Sequence, residues 1–320
     1  MAGDYQAAVS PKQWFAAPVA PEEDMAPVLR AAEAAGAVLK TYPGYLALLE
    51  NEKPDVAVVN PPFHLTTTVV RECLDRGIHV LAEKPLATTH VDLKAIRALC
   101  ERPGCPRLMG MFTMRYAPEF LAGQRFTATG AIGKPVLITV QKSYPIQGWD
   151  GGARPGFYRK RSTYGGTIPW IGIHAIDLFR WFSGSRFTEV LAAHTRLGNR
   201  DHGEMESAAV LQFQFASGAL ASAQLDFLRE LGPGPWGDDR LRLAGEEGVL
   251  EIRGGQAVAY LPAEGRRELT LEPAPAFFPA FLDWVEKGEP MLLSTEDCLA
   301  AAEAALLARD AADQGKALAF

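Results

Sequence analysis

Cysteine is scarce in this chain, and the few residues there are follow no pattern. Cys73, Cys100, Cys105 and Cys298 are spread over 320 positions with no C-x-x-C pair and no zinc-ligand spacing. Neither a disulfide framework nor a metal site is expected, and idle thiols in a reducing cytoplasm are the simplest account. Basic runs are missing as well, and a net charge of −6 gives no electrostatic case for nucleic acid. No apolar stretch approaches the roughly 18 residues that a membrane span needs, and no signal peptide is read. A cytoplasmic protein with no membrane or nucleic-acid partner is expected.

What is present is an ordinary globular composition, 48% hydrophobic and 22% charged, in a chain long enough for two cores. The first third alternates helix-like and strand-like segments. Asp4 to Val9 reads as the tail of a helix and Trp14 to Ala20 as a strand. Glu22 to Ala35 has Met25, Val28, Leu29 and Ala32 at helical spacing, with Gly36 as its stop. A helix through Leu49 leads to a strand over Val56 to Val59, and a further helix ends near Arg76, where Gly77 supplies the left-handed stop. Ile78, Val80 and Leu81 then form a short strand expected to be buried on both faces. It delivers Glu83 and Lys84 in front of Pro85, whose ring restricts Lys84 to an extended backbone. In open parallel sheets, ligands bind at the carboxyl ends of strands. A lysine partly desolvated there has a lowered pKa and suits proton transfer, the alternative being a merely solvated Glu83–Lys84 pair. Thr88 or Thr89 caps the next helix, whose Leu93, Ile96 and Leu99 face inwards.

Beyond residue 117 the pattern changes to strands joined by glycine-containing turns. Gln212, Phe213, Gln214 and Phe215 alternate, and Ser217-Gly218 reads as a hairpin turn, so an antiparallel sheet is expected. Helices over Phe277 to Lys287 and Thr295 to Asp313, the latter capped by Ser294, close the chain. Residues 164 to 177 read Y-G-G-T-I-P-W-I-G-I-H-A-I-D. Helical spacing places Trp170, His174 and Asp177 on neighbouring turns of one helix. A histidine so placed is either a proton acceptor or a core group bonded to its neighbour.

Two of these stretches, with a third, resemble the Gfo/Idh/MocA oxidoreductases, a family of nicotinamide-dependent sugar and polyol dehydrogenases. H-V-L-A-E-K-P-L-A-T-T, residues 79 to 89, resembles the E-K-P signature. Residues 164 to 177 resemble G-G-G-x-L-x-D-x-G-x-H-x-x-D, and residues 107 to 120 resemble V-G-x-x-x-R-F-x-P. The resemblance implies a Rossmann-like α/β parallel-sheet domain over residues 1–116, incomplete at its N-terminal side. An α+β domain with an open, mainly antiparallel sheet is implied over residues 117–320. It further implies an oxidoreductase using NAD or NADP on a sugar, a polyol or a related small molecule. Lys84 and His174 would be catalytic; Arg115, Trp170, Asp177 and Tyr164 would meet the substrate. Asn60, Pro62, Glu83 and Lys84 would meet the cofactor, and the outer face of the C-terminal sheet would form a homodimer or tetramer.

Several expected features are lacking. The opening strand, its G-x-G-x-x-G turn and the acidic residue after the second strand are not found; Ala20 and Pro21 stand where the last would be. Residues 61 to 66 keep one proline of T-P-N-x-x-H but carry Phe63 for asparagine and Thr66 for histidine, and His64 takes no role. Trp170 replaces the first aspartate of the histidine motif and cannot accept a proton. Gly232 to Gly237 spells G-x-G-x-x-G, yet Pro233 and Pro235 lack the N–H groups of a phosphate cradle, so a loop is read. Two functions stay open: a nicotinamide-dependent oxidoreductase, or an inactive relative serving as a ligand-binding, regulatory or structural subunit.

Overall fold

The computed structural model describes residues 14–20, 25–148, 152–232 and 235–320. The helix read over Asp4 to Val9 and part of the Gly232–Gly237 loop lie outside these residues.

The N-terminal part is built of short parallel strands. β1 (Trp14–Ala16), α1 (Ala26–Ala34), β2 (Leu39–Thr41) and α2 (Tyr45–Glu52) form one unit, with β1 and β2 paired in parallel. β3 (Val56–Val59), α3 (Phe63–Asp75), β4 (His79–Ala82), α4 (His90–Cys100) and β5 (Leu108–Gly110) form a second, in which β3, β4 and β5 make a parallel three-stranded sheet. Among the described residues no strand joins the two sheets, and Val58 on the open side of β3 is half exposed. α1 has the predicted amphipathic spacing but no buried residue, with Val28 and Leu29 exposed. Among the described residues its sheet is only two strands wide and leaves that apolar stripe uncovered.

β4 is dry on both faces: Val80, Leu81 and Ala82 are all buried, as a central parallel strand requires. Gly77 has φ +79°, the left-handed stop between α3 and β4. The hydroxyl of Thr89 accepts the Asp92 N–H and starts α4, a cap worth about 1 kcal/mol.

A 3₁₀ turn over Thr113–Tyr116 and α5 (Pro118–Ala128) lead into the C-terminal part. Its elements are β6 (Pro135–Ser143), α6 (Arg161–Tyr164), a π-helical turn (Ile168–Gly172), α7 (Ile173–Ser183), β7 (Phe187–Thr195), β8 (Ala208–Phe215) and β9 (Leu220–Asp226). β10 (Asp238–Gly245), β11 (Val249–Arg253), β12 (Gln256–Leu261), β13 (Gly265–Glu268), α8 (Phe277–Lys287), α9 (Thr295–Gln314) and β14 (Leu318–Ala319) complete it. The nine-stranded sheet has the order β13-β12-β11-β10-β6-β9-β8-β7-β14. It is antiparallel except where β6 runs parallel to β9. Strict alternation in β8 buries Leu211, Phe213 and Phe215 on the face where Phe179 of α7 meets Phe213 and leaves the other face open.

α9 joins the two parts. Ser294 and Asp297 close a capping box at its start. A face rich in alanine, including Ala301, Ala304, Ala305 and Ala308, is fully buried and lets the helix approach α4, β5, α7 and β7 closely. Thr295 donates to the Leu108 carbonyl at 2.7 Å, and the Cys298 sulfur accepts the Gly110 N–H at 3.4 Å. The last helix of the chain therefore packs on β5 of the three-stranded parallel sheet, and one continuous core runs through both parts.

Candidate active site

The end of β4 is held on both sides. Glu83 donates its N–H to Val59 and Met111 donates to Ala82, each at 2.8 Å. The chain then turns through a cis Lys84–Pro85 peptide bond. Arg309 of α9 donates to the carbonyls of Thr88 at 2.7 Å and Gly165 at 3.1 Å, tying this loop to the Gly-Gly turn. Gly165 sits at φ +83°, and a Cβ there would meet Thr88 at 2.8 Å, so the close approach depends on glycine.

Lys84 is thereby fixed facing the C-terminal part. Its side chain is 11% exposed, and Nζ donates to the Trp170 carbonyl at 2.9 Å. Glu83 Oε1 lies 3.8 Å away and the Trp170 ring centre 5.9 Å away. Burial pulls the Lys84 pKa down to about 8; Glu83 opposes this, and the positive charges of Lys142 and Arg154 add to it. Burial also pushes the Glu83 carboxyl up.

The predicted continuous helix starts as a π turn, so Trp170 and His174 are not at plain helical spacing. The wider turn frees the Trp170 carbonyl for Lys84, an arrangement common where helices carry a site. Gly172 allows the turn to lie on β9: a Cβ there would meet Leu225 Cδ1 at 2.7 Å. The His174 ring meets Phe112 edge-on at 6.2 Å, and its Nδ1 is buried without a hydrogen-bond partner. Burial, with Lys84 and Lys142 nearby, holds its pKa well below the usual value, so the imidazole is neutral.

Arg115 and Asp177, expected at the substrate, are spent on each other. Arg115 Nε and Nη2 donate to the Asp177 carboxylate at 2.6–3.1 Å, and Nη1 donates to the Leu292 carbonyl at 2.9 Å. Both residues are almost fully buried. Asp177 therefore does not orient His174 and instead ties the 3₁₀ turn to α7. Tyr164 also points away: its hydroxyl donates to Glu206 and accepts the Glu206 N–H at 3.1 Å. Trp170 remains at the site, stacked on Phe227 at 4.8 Å.

The structure adds groups that the sequence did not single out. Lys142 at the end of β6 is fully buried and donates to Asp239 at 2.6 Å, its direct cross-strand partner on β10. Asp239 also accepts the Tyr144 hydroxyl at 2.8 Å. Arg154 lies 4.8 Å from the Trp170 ring centre and within 6.0 Å of those of Tyr158, Phe227 and Trp236. The strand alternation of β6 was the available signal for Lys142, an inward position occupied by a charge.

Asn60 and Pro62 follow the carboxyl end of β3, beside that of β4. The Asn60 amide is exposed and has no partner among the described residues, so it can accept and donate to a bound amide or ribose. These groups suit the nicotinamide end of a dinucleotide. Among the described residues no G-x-G-x-x-G turn leads from strand to helix to cradle its pyrophosphate.

The architecture is a parallel-sheet α/β part followed by a large, mainly antiparallel sheet, with Lys84 just beyond a strand end of the first and His174 on α7 of the second. Residues 15–111 match the family described as oxidoreductases with an NAD-binding Rossmann fold, and residues 120–251 match the Gfo/Idh/MocA C-terminal domain. The chain belongs to the Gfo/Idh/MocA family. It is similar to the structure of a Thermotoga maritima protein described as an oxidoreductase, at 36% identity and a TM-score of 0.93, covering 98% of this chain and 95% of that one. It is 27% identical to D-apiose dehydrogenase of Paraburkholderia graminis over 77% of this chain and 64% of that protein. It is 26% identical to inositol 2-dehydrogenase of Rubrobacter xylanophilus over 64% and 55%. The matches thus span less than two thirds of these two curated relatives.

Proposed function

We propose that this chain is a nicotinamide-dependent oxidoreductase that interconverts a hydroxyl and a carbonyl on a sugar, a polyol or a related small molecule. The observation that carries this is Lys84: a buried amine with a pKa near 8, held by the Trp170 carbonyl opposite a neutral His174. The names of the relatives, D-apiose dehydrogenase and inositol 2-dehydrogenase, support the substrate class.

Asn60, Pro62 and Glu83 would hold the nicotinamide end of NAD or NADP. A nicotinamide held there would supply the acceptor for the hydride that leaves the substrate carbon. Neutral Lys84 takes the hydroxyl proton as the carbon–oxygen double bond forms, while its Nζ stays aligned by the Trp170 carbonyl. His174 holds the same oxygen, its neutral ring free to donate or accept because Nδ1 has no partner within the protein. Trp170 and Phe227 wall the site with stacked rings and exclude water. Trp170 contributes no acid or base, so proton transfer falls to Lys84 and His174.

The open face of the large sheet carries exposed Leu137, Leu191, Val210 and Leu220, which suits burial against a second copy of the chain. Among the described residues no helix is long and apolar enough to cross a membrane; a cytoplasmic enzyme is the proposal. An inactive relative has no observation in its favour, since Lys84 and His174 are both present and the Lys84 charge reaches the His174 ring.

The test is reduction of NAD and NADP by pentoses, hexoses, and linear and cyclic polyols, followed by calorimetry with NADH and NADPH. Turnover with at least one pair supports the proposal. No turnover, together with no binding at millimolar cofactor, overturns it.

A further inference from the structure

Three cationic side chains converge on this site, and among the described residues two carboxylates answer them. Lys84 and Arg154 share the Trp170 ring, at 5.9 and 4.8 Å from its centre. Lys142 is fully buried close enough to disfavour the charge on both Lys84 and His174. Asp239 neutralises Lys142, and Glu83 lies 3.8 Å from Lys84. Among the described residues no carboxylate pairs with Arg154.

Arg154 is also oriented. Its Nε donates to the Ile146 carbonyl at 2.7 Å and one N–H of Nη2 to the Pro145 carbonyl at 3.0 Å. A guanidinium has five N–H donors, so among the described residues Nη1 and the second N–H of Nη2 are left for a ligand. The surrounding rings of Tyr158, Trp170, Phe227 and Trp236 lower the local dielectric. In such a setting an uncompensated cation is costly, and a fork-shaped donor is matched by a carboxylate.

We propose, resting on the dehydrogenase reading, that the substrate is a sugar acid whose carboxylate is taken by Arg154 while the reacting hydroxyl lies at Lys84. Lys142 has Asp239 and Lys84 has Glu83 beside it, so the single charge of Arg154 is matched by a monoanion. A phosphate dianion would exceed that single charge, and a neutral sugar would leave Arg154 without a carboxylate partner among the described residues. The carboxylate fixes one end of the molecule, so the hydroxyl offered to Lys84 is chosen by its distance from the acid group.

The test reads binding without nicotinamide, by quenching of tryptophan fluorescence in the full chain. Pentoses and hexoses are each compared with their aldonates and uronates, and with the corresponding sugar phosphates. At least one acid is expected to bind about tenfold or more tightly than its parent sugar. Arg154→Gln is expected to remove that preference and Arg154→Lys to keep part of it, both checked for folding by thermal melting. No acid preferred over its parent, or a preference that survives in Arg154→Gln, overturns the proposal. Sugar phosphates binding more tightly than the acids overturn the carboxylate assignment. Turnover of neutral sugars with NAD or NADP, without any acid preference, would sink the sugar-acid substrate alone. Acid binding that depends on Arg154, without turnover of any compound, would sink the dehydrogenase reading alone.

Discussion

The amine of Lys84 donates to the carbonyl of Trp170 at 2.9 Å, joining the end of β4 to a π turn 86 residues further along the chain. That one bond sets the direction of the Lys84 lone pair and couples the two parts of the molecule at the site. The bonded partner is neutral, so the desolvation of the amine is opposed chiefly by Glu83 at 3.8 Å.

Lys84 therefore costs stability. Its pKa falls from the ordinary 10.5 to about 8 in the folded protein. Below pH 8 the amine is charged in both states, and the folded state bears the full cost. Between about pH 8 and 10.5 the unfolded chain binds more protons than the folded one, so stability rises with pH. Lys84→Met should stabilise the protein by about 1–3 kcal/mol at pH 7, with the gain fading towards pH 10. Urea unfolding at the two pH values measures this; a gain independent of pH would contradict the assignment.

Arg115 and Asp177 behave oppositely, since each satisfies the other in the core. Arg115→Met leaves a buried carboxylate unpaired and should cost about 3–5 kcal/mol, whereas Arg115→Met with Asp177→Leu should recover much of that. In the folded fraction at low temperature, kcat/KM for the preferred substrate should fall by less than about tenfold, below the roughly 100-fold effect of losing an acid–base group. A collapse of kcat/KM without loss of stability would return Arg115 to the substrate.

Gly172→Ala places a methyl group 2.7 Å from Leu225 Cδ1. The π turn or β9 must shift, at about 1–3 kcal/mol. Because Gly172 lies between Trp170 and His174, kcat should drop along with the melting temperature. A variant that melts early yet keeps the full kcat would show that the turn does not position these residues.

What the sequence revealed of this site was local. Lys84 is legible because a buried strand, a charge pair and a proline follow one another, and His174 because its motif is contiguous. Ser294, Thr89 and Gly77 were legible as caps and stops because capping is a matter of neighbouring residues. Arg154, Lys142 and Asp239 were not, since they meet only through the register of β6 with β10 and a loop that returns over Trp170. Arg115 and Asp177 were read as substrate contacts because nothing local shows that residues 62 positions apart form an ion pair. The α1 stripe shows the converse: its periodicity predicts a buried face, but burial depends on the sheet beside it.

The central claim is that Lys84 takes the substrate proton, and the pH dependence of kcat/KM for hydroxyl oxidation tests it most directly. The wild-type profile should rise with pH and level off with an apparent pKa near the value of about 8 set by burial. Arg154→Gln removes a charge that lowers that pKa and should move the rise to higher pH. Lys84→Met should lose at least about 100-fold in kcat/KM and show no such rise. A Lys84→Met enzyme that keeps the wild-type profile would contradict the account.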